Sequence, residues 1–262
     1  MTYQAESTLR HGVASRARPP DLGRSIPVPD VVVSPRILSL TLQDKSGTRS
    51  VDVAIARAVV AGWTGRDAAA VEKHIRELEA LGVKRPATTP IFYRVSAARL
   101  TTDDTIEAVG EASGGEVEFV LLQHAGKLWV GTGSDHTDRE VEKYGVTVSK
   151  QMCEKPIAPV FWAYDDVAPH WDRLLLRAHV LDDGRRTLYQ EGSVAAMMDP
   201  RALISRHAGD SGLPEGTIMF GGTLAAHGGV RPTREFAFEI EDPVLGRKIA
   251  HAYRVQTLPD LG

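Results

Sequence analysis

A chain of 262 residues is long enough for one large domain, or one domain with a smaller appendage, around a substantial core. Its formal charge of −3, with no basic run, argues against a nucleic-acid partner held by its phosphate backbone. The single cysteine, Cys153, excludes an intrachain disulfide framework and a thiolate zinc site. It reads as a small buried filler, with a nucleophile as the alternative. No apolar stretch approaches the length of a membrane span, and the N-terminus lacks the apolar core of a secretory signal. The expectation is a soluble, cytoplasmic protein without a membrane partner.

Residues 1–24 hold several arginines and few acids, as transit peptides do, but their Pro, Arg and Ser content and lack of apolar periodicity predict a flexible arm over 1–34. Ile37 to Leu42 (ILSLTL) alternates as a half-buried strand does, and Arg49 to Val53 can return as the second strand of a hairpin. Ala54 to Gly62 is apolar and fits either helix or strand. Asp67 to Leu81 predicts a helix, with Val71, Ile75 and Leu78 as its apolar stripe and Gly82 as a stop. Ile91 to Val95 reads as a strand, followed by a loop-rich stretch to Gly115. Strands are then predicted over Glu116 to Leu122, Lys127 to Gly131 and Val141 to Ser149. Later strand candidates are Arg173 to Leu181, Thr217 to Gly221 and Arg234 to Glu241, with a short helix over Pro200 to His207. The predicted class is α+β and strand-dominated, divided into the arm, a small N-terminal unit over 35–86 with a lid-like helix, and a core over 87–262.

Within the strand EVEFVLL, Glu116 and Glu118 project to one face, because strand side chains alternate with a period of two. Like charges side by side repel unless a positive charge lies between them. A hard cation, Mg²⁺ or Mn²⁺ with Ca²⁺ as an alternative, suits such oxygens. Asp135, in the loop-like GTGSDHTD, offers a third oxygen, and Lys150 a cation close enough in sequence to return to the same pocket. On spacing alone, a solvated strand face with an unrelated acidic loop explains the same residues.

The order of six motifs from about Trp63 to Val255 resembles the fumarylacetoacetate hydrolase superfamily, metal-dependent enzymes built on a mixed β-sandwich roll. His74-Ile75-Arg76-Glu77 is similar to that family's H-x-x-E, and Ala87 to Val95 (ATTPIFYRV) to its P-x-x-P-(L/I)-F-x-K, with Arg94 in the place of lysine. Glu116-Val117-Glu118 is similar to the E-V-E-L metal strand, and Ser134 to Glu142 (SDHTDREVE) to N-D-x-T-A-R-D-x-Q. Ser149-Lys150-Gln151 matches the active-site K-S-F, followed by a proline segment from Cys153 to Pro156. Gly216 to Gly229 (GTIMFGGTLAAHGG), the sixth, is similar to G-D-V-I-x-T-G-T-P-x-G-V-G; outside these six, Gln190 to Ser193 ahead of Met197 and Met198 also resembles the family's Q-x-x-N-T/S-x-x-M run. Four features depart from the pattern: Glu142 replaces a glutamine, His136 replaces an apolar residue, Gln151 to Cys153 lacks an aromatic, and the link from Glu118 to Asp135 is short.

The resemblance implies that Glu116, Glu118 and Asp135 hold the metal and that Lys150 holds a substrate carboxylate or an oxyanion. It makes His74 the base that activates water, oriented by Glu77 one turn away; an ordinary helix histidine is the alternative. Arg94, Arg139, Glu142, Gly222 and Thr223 are the candidate substrate-binding residues, although Gly222 and Thr223 also fit a plain glycine-rich turn. The implied activity is hydrolysis of a C–C bond in a small β-dicarbonyl or acylpyruvate-like acid through a metal-stabilised enolate. A 2-oxo acid decarboxylase, isomerase or hydratase uses the same enolate, and a non-catalytic metal or ligand scaffold is the reading from another class. A homodimer is implied by the resemblance alone.

Overall fold

The computed structural model describes residues 34–80, 85–182 and 184–261, without the side chains of His74, Glu77, Leu78, Ala80 and Asp182. In chain order these residues form β1 (Arg36–Asp44), β2 (Gly47–Ile55), β3 (Arg57–Gly62), α1 (Ala68–Ala80), β4 (Ile91–Val95), β5 (Leu100–Thr101), β6 (Thr105–Val109), β7 (Ser113–Gly114), β8 (Val117–His124) and β9 (Lys127–Ser134). There follow β10 (Thr137–Asp138), α2 (Arg139–Glu142), α3 (Val146–Met152), β11 (Lys155–Pro156), β12 (Val160–Ala163), α4 (Tyr164–Val167), β13 (Leu175–Asp182), β14 (Arg185–Ser193), α5 (Pro200–Ala208), β15 (Thr217–Thr223), β16 (Glu235–Asp242) and β17 (Arg247–Leu258).

Eight strands pair in the order β2-β1-β12-β9-β8-β15-β3-β4, and five in the order β14-β13-β16-β17-β6. Both sheets are mixed: β1 runs parallel to β12, β3 to β15 and β17 to β6, and the other neighbours are antiparallel. Val53 and Ile55 from one edge of the larger sheet share a buried cluster with Val95 from the opposite edge and with Val120, Leu122 and Phe220 between them. The sheet therefore curls around that cluster. Its other face packs on the five-stranded sheet, where Val117, Phe119 and Leu121 meet Phe236, Phe238 and Ile240. This is the strand-dominated α+β roll expected from the sequence. Among the described residues no helix is long and apolar enough to cross a membrane.

β8 is buried on both faces, which is why it reads as an almost unbroken apolar run rather than a clean alternation. Glu118 shares its face with Val120 and Leu122, inside the curl. The hairpin from β8 to β9 turns on Ala125 and Gly126, both at positive φ (52° and 69°), the two-residue geometry whose twist matches paired strands. That turn sets the register Val117 to Ser134 through His124 to Lys127. It also explains the short link between Glu118 and Asp135: a minimal hairpin needs no more chain.

Several expectations change. Residues 35–86 are not a separate small unit, because β1, β2 and β3 are three of the eight strands of the curled sheet and the unit that holds them begins at Ser34. The arm expected over 1–34 lies, through residue 33, outside the described residues. Val141 to Ser149 is not a strand but the helices α2 and α3. Asp138 caps α2, its Oδ1 accepting from the amides of Glu140 (3.0 Å) and Val141 (2.8 Å), whereas α3 starts after Gly145 without a side-chain cap and buries Ser149 and Lys150. The open segment Ala54 to Gly62 contains β3. The helix predicted over 67–81 is α1, capped by Asp67 through the amides of Ala69 and Ala70.

Gly221 tests the packing between the sheets. A Cβ there would stand 2.0 Å from ring atoms of Phe119, whose ring meets Trp171 edge-on at 5.1 Å. Gly221→Ala is expected to destabilise the protein by about 1–3 kcal/mol, the usual result of overpacking. Urea unfolding measures this, and an unchanged midpoint would contradict the packing described.

Candidate active site

Because the hairpin register is fixed, Asp135 lies level with Glu116, and its amide donates to the Glu116 carbonyl at 3.0 Å. Asp135 directly follows β9 instead of sitting in a free loop. Glu116 and Glu118 point to the same side of the chain, so three carboxylates meet at one end of the curl. β15 closes over them with an irregularity between Phe220 and Thr223. There the Gly222 amide donates to Glu118 Oε2 at 2.7 Å. Gly222 has φ +105°, and a Cβ would fall 1.8 Å from Thr64 Oγ1, so only glycine fits this approach. Thr223 Oγ1 donates to the Val117 carbonyl at 2.8 Å. Gln190, fully buried, ties both strands: its Oε1 accepts from Val117 N at 2.9 Å, and its Nε2 donates to Thr223 Oγ1 (2.8 Å) and the Leu224 carbonyl (2.6 Å).

Three cations answer the carboxylates. Lys150, on α3, is buried and donates to Asp135 Oδ2. Lys155, with no exposed surface, stands 3.2 Å from Asp135 Oδ1 and donates to the His136 carbonyl. Arg139 lies 3.5 Å from Glu116 and 3.0 Å from Glu142 and donates to the Gly114 carbonyl at 3.0 Å. Burial alone would raise the Asp135 carboxyl, but the ammonium groups of Lys150 and Lys155 outweigh it and hold it below the usual range. Burial would likewise lower Lys150, yet Asp135, then Glu116 and Glu142, hold its ammonium above the ordinary lysine value. Burial lowers Lys155. Glu118 is raised well above a normal carboxyl, first by burial and then by the charge of Asp135; Glu116 is raised by burial against the pull of Arg139 and Lys150.

Behind the carboxylates, Tyr253 Oη shares hydrogen bonds with Ser134 Oγ and His136 Nδ1, each 2.8 Å. Burial, with Lys155 and Arg139 nearby, pushes the His136 imidazole down to about 3, so the ring is neutral. Its Nε2 is buried without a hydrogen-bond partner among the described residues.

Of the residues picked out in the sequence, Glu116, Glu118, Asp135, Lys150, Arg139, Glu142, Gly222 and Thr223 come together here. Arg94 does not. It donates to the carbonyls of Ala56, Ala58 and Val95, and it alternates with Tyr93, whose ring is the one facing Lys150 at 5.7 Å. Lysine in this place would lack the planar fork that satisfies several carbonyls at once. The backbone of His74 and Glu77 lies in α1, and their side chains are outside the described residues. Glu72 and Glu79 on the same helix pair with Arg85 at the surface. Exposed His227 donates its backbone amide to the Tyr189 carbonyl. Lys155, Gln190 and Tyr253 escaped a reading of spacing. Lys155 had one visible signal, a lone cation between Cys153 and the apolar run from Pro156.

The donor set fits a hard divalent cation: three carboxylate oxygens, no thiolate, and a Glu118 whose burial leaves its charge under-compensated. In the conformation described, no group of three His, Cys, Asp or Glu side chains among the described residues is gathered tightly enough to hold an ion. Lys150 and Arg139 stand within ion-pair distance of Asp135 and Glu116, so an ion held by these carboxylates would compete with both cations for the same oxygens.

A family model described as "Protein of unknown function (DUF2848)" matches residues 61–253. The chain belongs to that family. Among curated proteins no sequence matches this DUF2848 member. Solved structures share its fold. A protein described as a fumarylacetoacetate isomerase/hydrolase from Oleispira antarctica is 18% identical, with TM-score 0.58 over 83% of this chain and 99% of that one. A 2-keto-3-deoxy-D-arabinonate dehydratase complexed with magnesium and 2,5-dioxopentanoate is 16% identical, with TM-score 0.56 over 82% and 78%. The 4-oxalocrotonate decarboxylase from Pseudomonas putida G7, complexed with calcium and acetate, is 15% identical, with TM-score 0.51 over 77% and 78%. The DUF2848 chain thus has the fold of the fumarylacetoacetate hydrolase superfamily, as its motif order implied.

His136 gives this site a pH signature. Its folded value of about 3 lies below the ordinary 6.5, so unfolding takes up a proton between the two. Stability is complete above about pH 7 and falls on acidification, by at most about 1.4 kcal/mol per pH unit from this group. Urea midpoints at pH 7.5 and pH 5 measure it. The drop is expected to be smaller in His136→Asn, and an equal drop in both proteins would contradict the buried neutral ring.

Proposed function

We propose that this protein is a divalent-metal-dependent enzyme that acts on a small 2-oxo or β-dicarbonyl acid through an enolate, and that it hydrolyses a C–C bond of an acylpyruvate-like substrate. The observation that carries this reading is the meeting of Glu116, Glu118 and Asp135 with Lys150 at one buried end of the curl. The fold supports it, since it is shared with proteins described as an isomerase/hydrolase, a dehydratase and a decarboxylase, two of them with Mg²⁺ or Ca²⁺.

In this proposal Glu116, Glu118 and Asp135 hold Mg²⁺ or Mn²⁺. When bound, the ion supplies a Lewis acid that polarises a substrate carbonyl and stabilises an enolate. Gly222 N–H fixes Glu118, and Thr223 and Gln190 hold the strands beneath it, so these residues position the ligands rather than touch substrate. Lys150, once Asp135 turns away, presents its ammonium to the substrate carboxylate or to the developing oxyanion. Arg139 keeps Glu142 as an acceptor, suited to a substrate hydroxyl rather than to a carbonyl. His74, oriented by Glu77, takes the proton from the attacking water. Two copies in a cytoplasmic assembly complete the proposal.

A second reading, dehydration or decarboxylation of a 2-oxo acid, is favoured by the names of two structural neighbours. It shares the stabilised enolate but reaches it differently: by loss of CO₂, or by loss of an α-proton followed by departure of a β-hydroxide, instead of by attack of water on a carbonyl.

Calorimetric titration with Mg²⁺ and Mn²⁺ tests the site. Glu116→Ala and Asp135→Ala are each expected to weaken binding by about 100-fold or more, as loss of a ligand in a three-carboxylate set should. Unchanged binding in both variants would sink the metal site. With a metal bound, 2,4-dioxopentanoate is expected to yield pyruvate and acetate without CO₂. Release of CO₂ instead would assign the protein to decarboxylation.

A further inference from the structure

β3 ends at Gly62, and the next residue, Trp63, holds φ +57°. A bulky residue in the left-handed region is rare and persists only where its surroundings over-determine it. Here they do. Thr64 packs its hydroxyl against Gly222, and its carbonyl accepts from the Met198 amide at 2.8 Å. The strained corner thus lies against the same glycine that holds Glu118. Gly62, just before this corner, packs on the Tyr93 ring, where an added Cβ would stand 3.1 Å from a ring carbon, and the side chains of Trp63 and Tyr93 interact. The Tyr93 ring borders Lys150, whose Nζ stands 5.7 Å from its centroid. The Trp63–Tyr93 pair therefore lies to one side of the ammonium that would hold the oxo-acid end of a substrate. Both are half-buried, whereas Trp129, Trp162 and Trp171, the other three tryptophans, are buried.

We propose that Trp63 and Tyr93 form an aromatic wall beside Lys150 that selects a planar, conjugated acyl group, such as that of an aryl dioxo acid, over a polyhydroxylated chain; this rests on the reading of the site as a 2-oxo acid site. With the oxo-acid end fixed at Lys150, the group beyond it meets ring faces. A flat conjugated substituent stacks there, while the hydroxyls of a sugar acid would lose water against ring carbons. Trp63 is a specificity-determining residue in this account, not a catalytic one.

The test uses the Mg²⁺-loaded full chain and three probes: oxalate, 4-phenyl-2,4-dioxobutanoate and 2-keto-3-deoxyarabinonate. Affinity is read by calorimetry and the wall by tryptophan emission. The aryl dioxo acid is expected to quench emission in the native protein, and the change to vanish in Trp63→Phe with affinity nearly kept. Trp63→Ala is expected to weaken the aryl dioxo acid about tenfold, the loss of one stacked pair, with oxalate unchanged. Equal aryl affinity in all three proteins with no emission change, while oxalate still binds, would overturn the wall alone. Tighter binding of the sugar acid than of the aryl acid would do the same. Failure of oxalate to bind the native protein would remove the site reading and the wall with it.

Discussion

Three carboxylates and three cations share one buried corner where the β8–β9 hairpin ends, and the charges there are matched unevenly. Asp135 takes both lysines, Glu116 takes Arg139, and Glu118 accepts a backbone amide and, among the described residues, forms no ion pair. Removing charges from water is expensive unless each is paired and hydrogen-bonded. The surrounding structure keeps these groups together through the two-residue turn that sets the register, the irregularity in β15 that aims Gly222, and the Gln190 clamp across both strands. The first two are backbone devices and the third is a buried side chain that bridges the backbones of both strands, so the corner does not depend on its ion pairs alone.

The chemistry follows from that imbalance. Glu118 carries a carboxyl pushed up by burial, the state a bound cation would relieve. Lys150 reaches the same corner from α3, on an element separate from the hairpin, so it can shift without disturbing the register. Behind them the Ser134–Tyr253–His136 network anchors the chain around Asp135 from the side of the five-stranded sheet. The carboxylates and the ammonium are thereby held by different parts of the fold, which suits a site where one must part from the other.

Much of this was legible in the sequence where local pattern and tertiary role agree. The β-branched, apolar run after Glu116 marked the strand and its period of two put Glu116 and Glu118 on one side, and the Ile91–Val95 strand and the α5 helix were readable too. Val141 to Ser149 was misread because its valines favour a strand, while the cap Asp138 starts only the first of its two helices and the second has no local cap to read. The supposed small unit over 35–86 was misjudged because strand membership in the curled sheet depends on parallel pairing with β12 and β15, far along the chain. Arg94 sat in a familiar motif position yet faces away, since one residue of register decides the face of a strand. Lys155 and Gln190 act through burial, which spacing does not report.

The central claim is that one divalent ion lies between Glu116, Glu118 and Asp135 and meets the two oxygens of an oxo acid. A crystal structure of the protein grown with Mn²⁺ and oxalate, with anomalous scattering recorded for manganese, tests it most directly. The account predicts one anomalous peak within bonding distance of all three carboxylates and of oxalate, with Lys150 turned from Asp135. A peak elsewhere, or oxalate held by the cations with no metal beside those three residues, would contradict it.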